Sequence, residues 1–296
     1  MILAAGFGTR LLPFSKIRPK PLFPILGRPL ITIIIERLRQ YGFTSIIVNT
    51  HHLGDQICTL LHDEKDVLLQ VEKTILGTGG GLRMALDAFA GEPVLVVNAD
   101  LYHTLDYKLI YDKHVASQYQ VSMVMHNYNR FNKVLVNKFG RIVSFSAGES
   151  ALAPTDELLA FTGVHVVNPE IITPLPLGRF SNIIDHYTEF IKKGGAIQSI
   201  KMDDPSWRDI GTPSDYLDLH RVLITENKEI DHLKPILSSN FYADDAVVLG
   251  KDVTMAGWGM IGSGAEIGDN SHLERVVIWD GAVVEEGSIC KDTIIC

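Results

Sequence analysis

Two glycines, an arginine and a lysine held between prolines give this sequence its first chemical opportunity. In Leu3-Ala4-Ala5-Gly6-Phe7-Gly8-Thr9-Arg10 a short apolar run ends in Gly-x-Gly, and Lys20 follows inside Pro19-Lys20-Pro21. A strand that runs into Gly6 and Gly8 delivers backbone N–H groups, unshielded by side chains, to the carboxyl end of a sheet, which is a place for phosphate. The prolines beside Lys20 restrict the backbone and fix the direction in which the lysine leaves it. A rigidly placed Arg10 and Lys20 beside bare amides suit a triphosphate, whose charge is otherwise expensive to desolvate. Two rival glycine motifs fail on inspection: a dinucleotide fingerprint needs a third glycine where Leu11 stands, and a P-loop needs Gly-Lys-Ser/Thr, which occurs nowhere.

The rest of the chain must position that loop. The 296 residues, 46% hydrophobic and 21% charged, allow one large α/β domain with an appendage or two modest ones. A net charge of -8 argues against a nucleic-acid-coating or anionic-membrane surface, so any anion site is concentrated. Cys58, Cys290 and Cys296 suit neither a disulfide framework nor a zinc site and read as free thiols. The apolar start Met1–Ala5 is too short for a signal peptide, and no run of about 18 apolar residues occurs; a cytoplasmic protein that spans no membrane is expected.

Short β-branched runs alternate with helical patterns: Ile31 to Tyr41 reads as a helix, Ser45 to Asn49 as a strand, Ala85 to Phe89 as a helix end and Pro93 to Val97 as a strand buried on both sides. This predicts a Rossmann-like, mostly parallel mixed sheet with helices on both faces. Val121 to Asn129 adds another strand, and Lys133 to Phe145 reads as a β-hairpin turning at Gly140. A last helix from Ser214 to Leu223 opens at Thr212-Pro213.

Beyond Asn240 the pattern changes. Counting in sixes from Val247 meets Val253, Gly259, Ala265, Ser271, Val277, Val283, Ile289 and Ile295, all aliphatic or small. That period predicts a short left-handed parallel β-helix, with open strand edges suited to a homo-oligomer contact. The expected boundaries are an α/β domain over residues 1–228 and a linker with β-helix over 229–296.

Gly6-x-Gly8-Thr9-Arg10-Leu11-x-Pro13 with Pro19-Lys20-Pro21 resembles the signature of the sugar-1-phosphate nucleotidylyltransferases, the NDP-sugar pyrophosphorylases. The likeness continues in Leu76-Gly77-Thr78-Gly79-Gly80-Gly81, Val97-Asn98-Ala99-Asp100, Phe161-Thr162-Gly163, Trp207-Arg208-Asp209-Ile210-Gly211-Thr212 and the hexapeptide tail. The resemblance implies that a sugar-1-phosphate oxygen attacks the α-phosphorus of an NTP in line, releasing pyrophosphate. It implies roles for Arg10 and the amides of Leu3 to Thr9 on the β- and γ-phosphates and for Lys20 on the α-phosphate. By the same likeness Asp100 and Asp209 ligate Mg²⁺, Glu72, Gly77, Thr78, Gly79 and Asn98 meet the nucleotide, and Thr162 and Gly163 meet the sugar.

The pattern departs from the family at Ser146-Ala147-Gly148-Glu149, where many relatives carry Glu-Lys-Pro with a lysine on the sugar phosphate. Relatives resembling N-acetylmuramate-1-phosphate uridylyltransferase also lack it and share Thr-Gly-Gly-Gly; Arg130, Lys133 and Arg208 are the candidate substitutes. His51-His52 and the tryptophans read as loop, packing or core residues. Two other functions are weighed. One is a catalytically silent nucleotide-sugar-binding regulator, against which the retained Arg10, Lys20, Asp100 and Asp209 speak. The other is a hexapeptide-repeat acyltransferase, for which under three coils without an evident catalytic histidine give thin support.

Overall fold

A computed structural model describes residues 1–146, 154–204, 206–226, 233–236 and 240–296. They pack as two compact units, Met1–Phe7 with Ile34–Trp207, and Gly8–Ile33 with Arg208–Cys296. The division does not follow the sequence boundary at 228 and 229, because the Gly8–Ile33 segment packs with the C-terminal residues. Among the described residues no helix is long and apolar enough to cross a membrane.

The first unit is built on a nine-stranded sheet. Ile2–Leu3 lies parallel between Ile46–Thr50 and Val94–Asn98, with Ile2 opposite Val48 on one side and Val97 on the other. Val67–Val71 continues the parallel half beside Ile46–Thr50. All five residues of Ile46–Thr50 and the first four of Val94–Asn98 are buried. Continuous apolar runs of this kind belong to strands covered on both faces. The remaining half departs from the mostly parallel expectation. The long strand Glu157–Val167 runs antiparallel to Val94–Asn98, to Val121–His126 and to Val134–Val136. The expected hairpin joins Val134–Val136 to Ile142–Ser144, with Gly140 at φ 71° and the Asn137 side chain accepting from the N–H groups of Phe139 and Arg141.

Helix ends follow their capping residues. Asp106 accepts from Leu109 N–H at the start of Tyr107–Val115, and Asn182 accepts from Ile184 N–H at the start of Ile183–Lys192. The helix expected from Ile31 runs over Leu30–Gln40.

In the second unit, Thr212 caps Pro213–Thr225 by accepting from Asp215 N–H at 3.2 Å. The tail consists of stacked parallel strands: Phe241–Ala243, Thr254–Ile261, His272–Ile278 and Ile289–Ile295 on one path, Val248–Leu249, Glu266–Ile267 and Val283–Val284 on another. The count in sixes drifts along it. Thr254 faces His272, eighteen residues on, but Gly259 faces Val276 and His272 faces Ile289, each seventeen on. The first strand turns its corner with Gly257 and Trp258, the next with Arg275 alone. Val283 and Ile289, counted inward by the sixes, therefore stand exposed, while Ala282 and Val284 fill the core with Ala265, Ile267 and Leu273.

Candidate active site

Gly8, Arg10 and Lys20 come together with Asp209 within the second unit. Gly8, at φ 63°, turns the chain into the short helical turn Thr9–Leu11, and a Cβ at Gly8 would stand 3.3 Å from Ser15 Cβ. Lys20 begins the turn Lys20–Leu22, following Pro19 in extended backbone. Its side chain is 7% exposed and its Nζ lies 3.5 Å from Asp209 Oδ1, while Arg10 Nη1 lies 3.6 Å from Asp209 Oδ2. These separations exceed those of charge-assisted hydrogen bonds, about 2.7–2.9 Å. One carboxylate thus balances two cations without gripping either tightly. An arriving phosphate chain can take both cations and release Asp209 for a hard cation. Gly211 completes the cluster, since a Cβ there would meet Asp209 Oδ2 at 2.7 Å and the Arg10 guanidinium at 2.8 Å. In the sequence the one signal for Gly211 is its spacing two residues after Asp209.

In the first unit, Leu3 and its neighbours form the strand end the sequence anticipates. Ala99 N–H donates to the Leu3 carbonyl, and Ala4 N–H donates to Asn49 Oδ1 at 2.8 Å. Ala5 is buried, and Gly6 is exposed with nothing within 4 Å of the place a Cβ would occupy. Asn49 passes its own amide to Glu72 Oε1 at 2.7 Å, and Leu76 N–H donates to Glu72 Oε2 at 2.9 Å. Glu72, expected to meet the base, is buried, and each of its oxygens accepts from the chain, so it ties the strand Ile46–Thr50 to the start of the glycine-rich stretch.

That stretch is a helix, Gly77–Met84. Gly79 and Gly80 donate to the Ser181 carbonyl, and Thr78 Oγ1 accepts from Ile183 N–H. Cβ atoms at Gly77, Gly80 and Gly81 would sit 2.7 Å from Ser181 O, 2.6 Å from Arg179 O and 2.8 Å from Asn49 Nδ2. The chain itself, not an open space, occupies the room these glycines leave, and Gly79 and Thr78 spend their polar groups on it.

Asn98 closes the strand Val94–Asn98, and Asp100 follows in the turn before Leu101. Gly163, at φ 79°, lies against Asn98 Nδ2 and Leu101 Cδ1. Thr162, expected at the sugar, is fully buried: its hydroxyl donates to the Val124 carbonyl at 2.9 Å, and its own carbonyl accepts from Trp207 Nε1–H at 3.0 Å. Trp207 is buried edge-on against His126, Tyr128 and Phe131, as a core residue. His51 Nδ1 bonds the Glu72 carbonyl oxygen, in keeping with a packing role. Of the departure at 146–149, residues 147–149 lie outside the described residues. Arg130 sits over the Phe131 ring at 5.0 Å, and Arg208 lies 4.0 Å from Asp218.

No group of three or more His, Cys, Asp or Glu side chains comes together among the described residues. A Mg²⁺ ion does not require one. It commonly takes one or two carboxylates, with phosphate oxygens and water completing the octahedron. Asp209, a carboxylate 10% exposed and counterbalanced by the two cations that a phosphate would draw away, fits that donor set.

Comparison with known proteins identifies the family. The nucleotidyl transferase family profile matches residues 1–226. A mannose-1-phosphate guanylyltransferase of Mycobacterium tuberculosis is 27% identical, across 98% of this chain and 82% of its own length. An N-acetylmuramate alpha-1-phosphate uridylyltransferase of Neisseria meningitidis is 40% identical across 36% of this chain and 48% of its own length. In fold, the chain resembles HddC of Yersinia pseudotuberculosis in its GMP-PN complex, with TM-score 0.61 and 24% identity over 74% of this chain and 96% of that one. With a family profile spanning the glycine loop and both candidate aspartates, the chain belongs to the nucleotidyl transferase family, as a sugar-1-phosphate nucleotidylyltransferase.

Proposed function

We propose that the chain transfers a nucleotidyl group to a sugar-1-phosphate with Arg10, Lys20 and Asp209 as its central catalytic cluster and Mg²⁺ as cofactor. The observation that carries this assignment is Asp209 standing within 4 Å of both cations, with Gly211 leaving room for them. An oxygen of the sugar phosphate attacks the α-phosphorus, the bond from that phosphorus to the bridging oxygen breaks, and pyrophosphate departs with the electron pair. Catalysis of this kind rests on placement and charge. Arg10 and the amides of Gly6, Gly8 and Thr9, reached through Leu3, Ala4 and Ala5, hold the β- and γ-phosphates. Lys20 stabilises the charge that gathers on the α-phosphate. Asp209 and Asp100 supply the carboxylate oxygens for the metal, which when bound neutralises phosphate charge.

Glu72 and Gly77–Gly79 act on the nucleotide by shaping the segment that lies along it, since their polar groups hold the fold. Asn98 and Gly163 line the sugar side, with Thr162 behind them. The stacked C-terminal strands form a short left-handed β-helix, and a second copy of the chain covers its last strands, where Val283 and Ile289 are exposed on edge strands. The setting is cytoplasmic.

The test is pyrophosphate release with Mg²⁺, running UTP, GTP, CTP, ATP and dTTP against mannose-, glucose-, N-acetylglucosamine- and N-acetylmuramate-1-phosphate. Release that requires one NTP and one sugar phosphate together is the expected result and names the substrates. No release with any pair, alongside tight binding of a nucleotide sugar, would replace this reading with that of a silent binder.

A further inference from the structure

The segment that carries Lys20 is framed almost entirely by the C-terminal half of its unit. Trp279, 1% exposed, stands at the end of strand His272–Ile278 and meets Phe23 edge-on at 4.9 Å and Phe14 at 6.0 Å. Its Nε1–H donates to the Tyr216 hydroxyl at 3.1 Å, and that hydroxyl donates in turn to the Pro24 carbonyl. Arg18 lies over the Trp279 ring at 4.8 Å and donates to both oxygens of Asp280, at 2.7 and 2.9 Å. At the far end of the segment the hairpin turn Leu26-Gly27 has positive φ at both residues, and a Cβ at Gly27 would meet Asp244 Oδ2 at 2.9 Å. Aromatic, cationic and backbone contacts therefore converge on both sides of Lys20 from the tail.

We infer that the C-terminal coil is a positioning element for the lysine loop. Trp279 and Asp280 touch no reacting atom; they act on turnover by holding Phe14–Ile25 so that Lys20 keeps its place beside Asp209. The argument has two steps. Lys20 begins a turn of three residues closed by single backbone hydrogen bonds, Leu22 N–H to Pro19 O and Phe23 N–H to Lys20 O. Such a turn is marginal by itself and depends on packing. The packing comes from Trp279 under Phe14 and Phe23, while the Arg18–Asp280 fork fixes the loop laterally. A displacement of about 1 Å at a charged catalytic group can cost a hundredfold in rate, so loosening this frame reaches the chemistry without touching it. The inference rests on the reading that Lys20 meets the NTP.

The experiment compares Trp279→Phe and Asp280→Ala with the unmutated full-length protein in two measurements. Hydrogen exchange of the Phe14–Ile25 peptide should quicken about tenfold in Trp279→Phe and about threefold in Asp280→Ala, with the Val94–His126 peptides unchanged. The kcat of pyrophosphate release should fall by about the same factors, while KM for the sugar-1-phosphate stays within about twofold. Exchanging the charges in an Arg18→Asp, Asp280→Arg double variant should recover most of the loss that either single change causes, which a general loss of stability would not allow. Unchanged exchange in both variants, or faster exchange with full kcat, overturns the inference. If the unmutated protein turns over no substrate pair, the catalytic reading fails instead, and the exchange rates alone decide whether the coil holds the loop.

Discussion

The chain has two glycine-rich stretches, and they do opposite things. At Gly6 nothing lies within 4 Å of the site a side chain would take, and the cluster downstream of Gly8 sets two cations on one carboxylate. At Gly77, Gly79, Gly80 and Gly81, atoms of the chain stand at 2.9 Å or closer. Glycine density marks a close approach by something. Whether that something is a ligand or the protein itself is decided by residues far away in sequence, Arg179 and Ser181 here, which no local spacing reveals.

The contrast can be broken most severely at Lys20. On the proposed reading Lys20→Ala removes the charge that meets the α-phosphate, and kcat should fall by about 10²–10³. Steady-state pyrophosphate release measures it, and a loss of under threefold would empty the open loop of its catalytic meaning.

Acid sharpens the comparison next. His220 donates Nδ1–H to the Tyr216 carbonyl and accepts Leu26 N–H at Nε2, and burial holds its pKa down to about 4. The unfolded chain protonates near 6.5, so the stability His220 confers is complete above that pH and is lost as pH falls towards 4, at about 1.4 kcal/mol per pH unit. By pH 5 that amounts to about 2 kcal/mol. Urea midpoints between pH 7 and 4.5 for the parent and His220→Gln should differ in slope by about one proton; parallel slopes would contradict the assignment.

Gly80→Ala tests the filled stretch. Alanine gains about 1 kcal/mol of helix propensity but collides with the Arg179 carbonyl, and overpacking costs about 1–3 kcal/mol. A net destabilisation of up to about 2 kcal/mol is expected by chemical denaturation, with KM values unchanged. The smallest effect belongs to Gly6→Ala: stability within about 0.5 kcal/mol of the parent, with any loss appearing as weaker NTP binding.

The turn at Gly8 and the placement of Lys20 after Pro19 were the most legible part of the site because their signals are local: a glycine and a proline set the backbone within a few residues. The strands Ile46–Thr50 and Val94–Asn98 and the helix after Thr212 were legible through apolar runs and a cap, each to within a residue or two. Glu72 and Thr162 find partners that no local spacing reveals, for the reason that separates the two glycine stretches: Asn49 and Val124, which take up their polar groups, lie 23 and 38 residues away. The hexapeptide count failed where a two-residue corner at Gly257-Trp258 gave way to Arg275 alone, a bulge visible only once strands are paired. The aromatic frame around Lys20 left no local trace, since Trp279 lies over 250 residues from Phe23.

Asp209 tests the account most directly. Asp209→Asn keeps the side chain's shape and removes the charge that balances Arg10 and Lys20 and that, on the proposed reading, offers oxygen to the metal. Measured by pyrophosphate release across a Mg²⁺ titration, with circular dichroism confirming the fold, the variant should lose about 10²–10³ in kcat. A folded variant that keeps the parent's rate and Mg²⁺ dependence would contradict the assignment of the cluster.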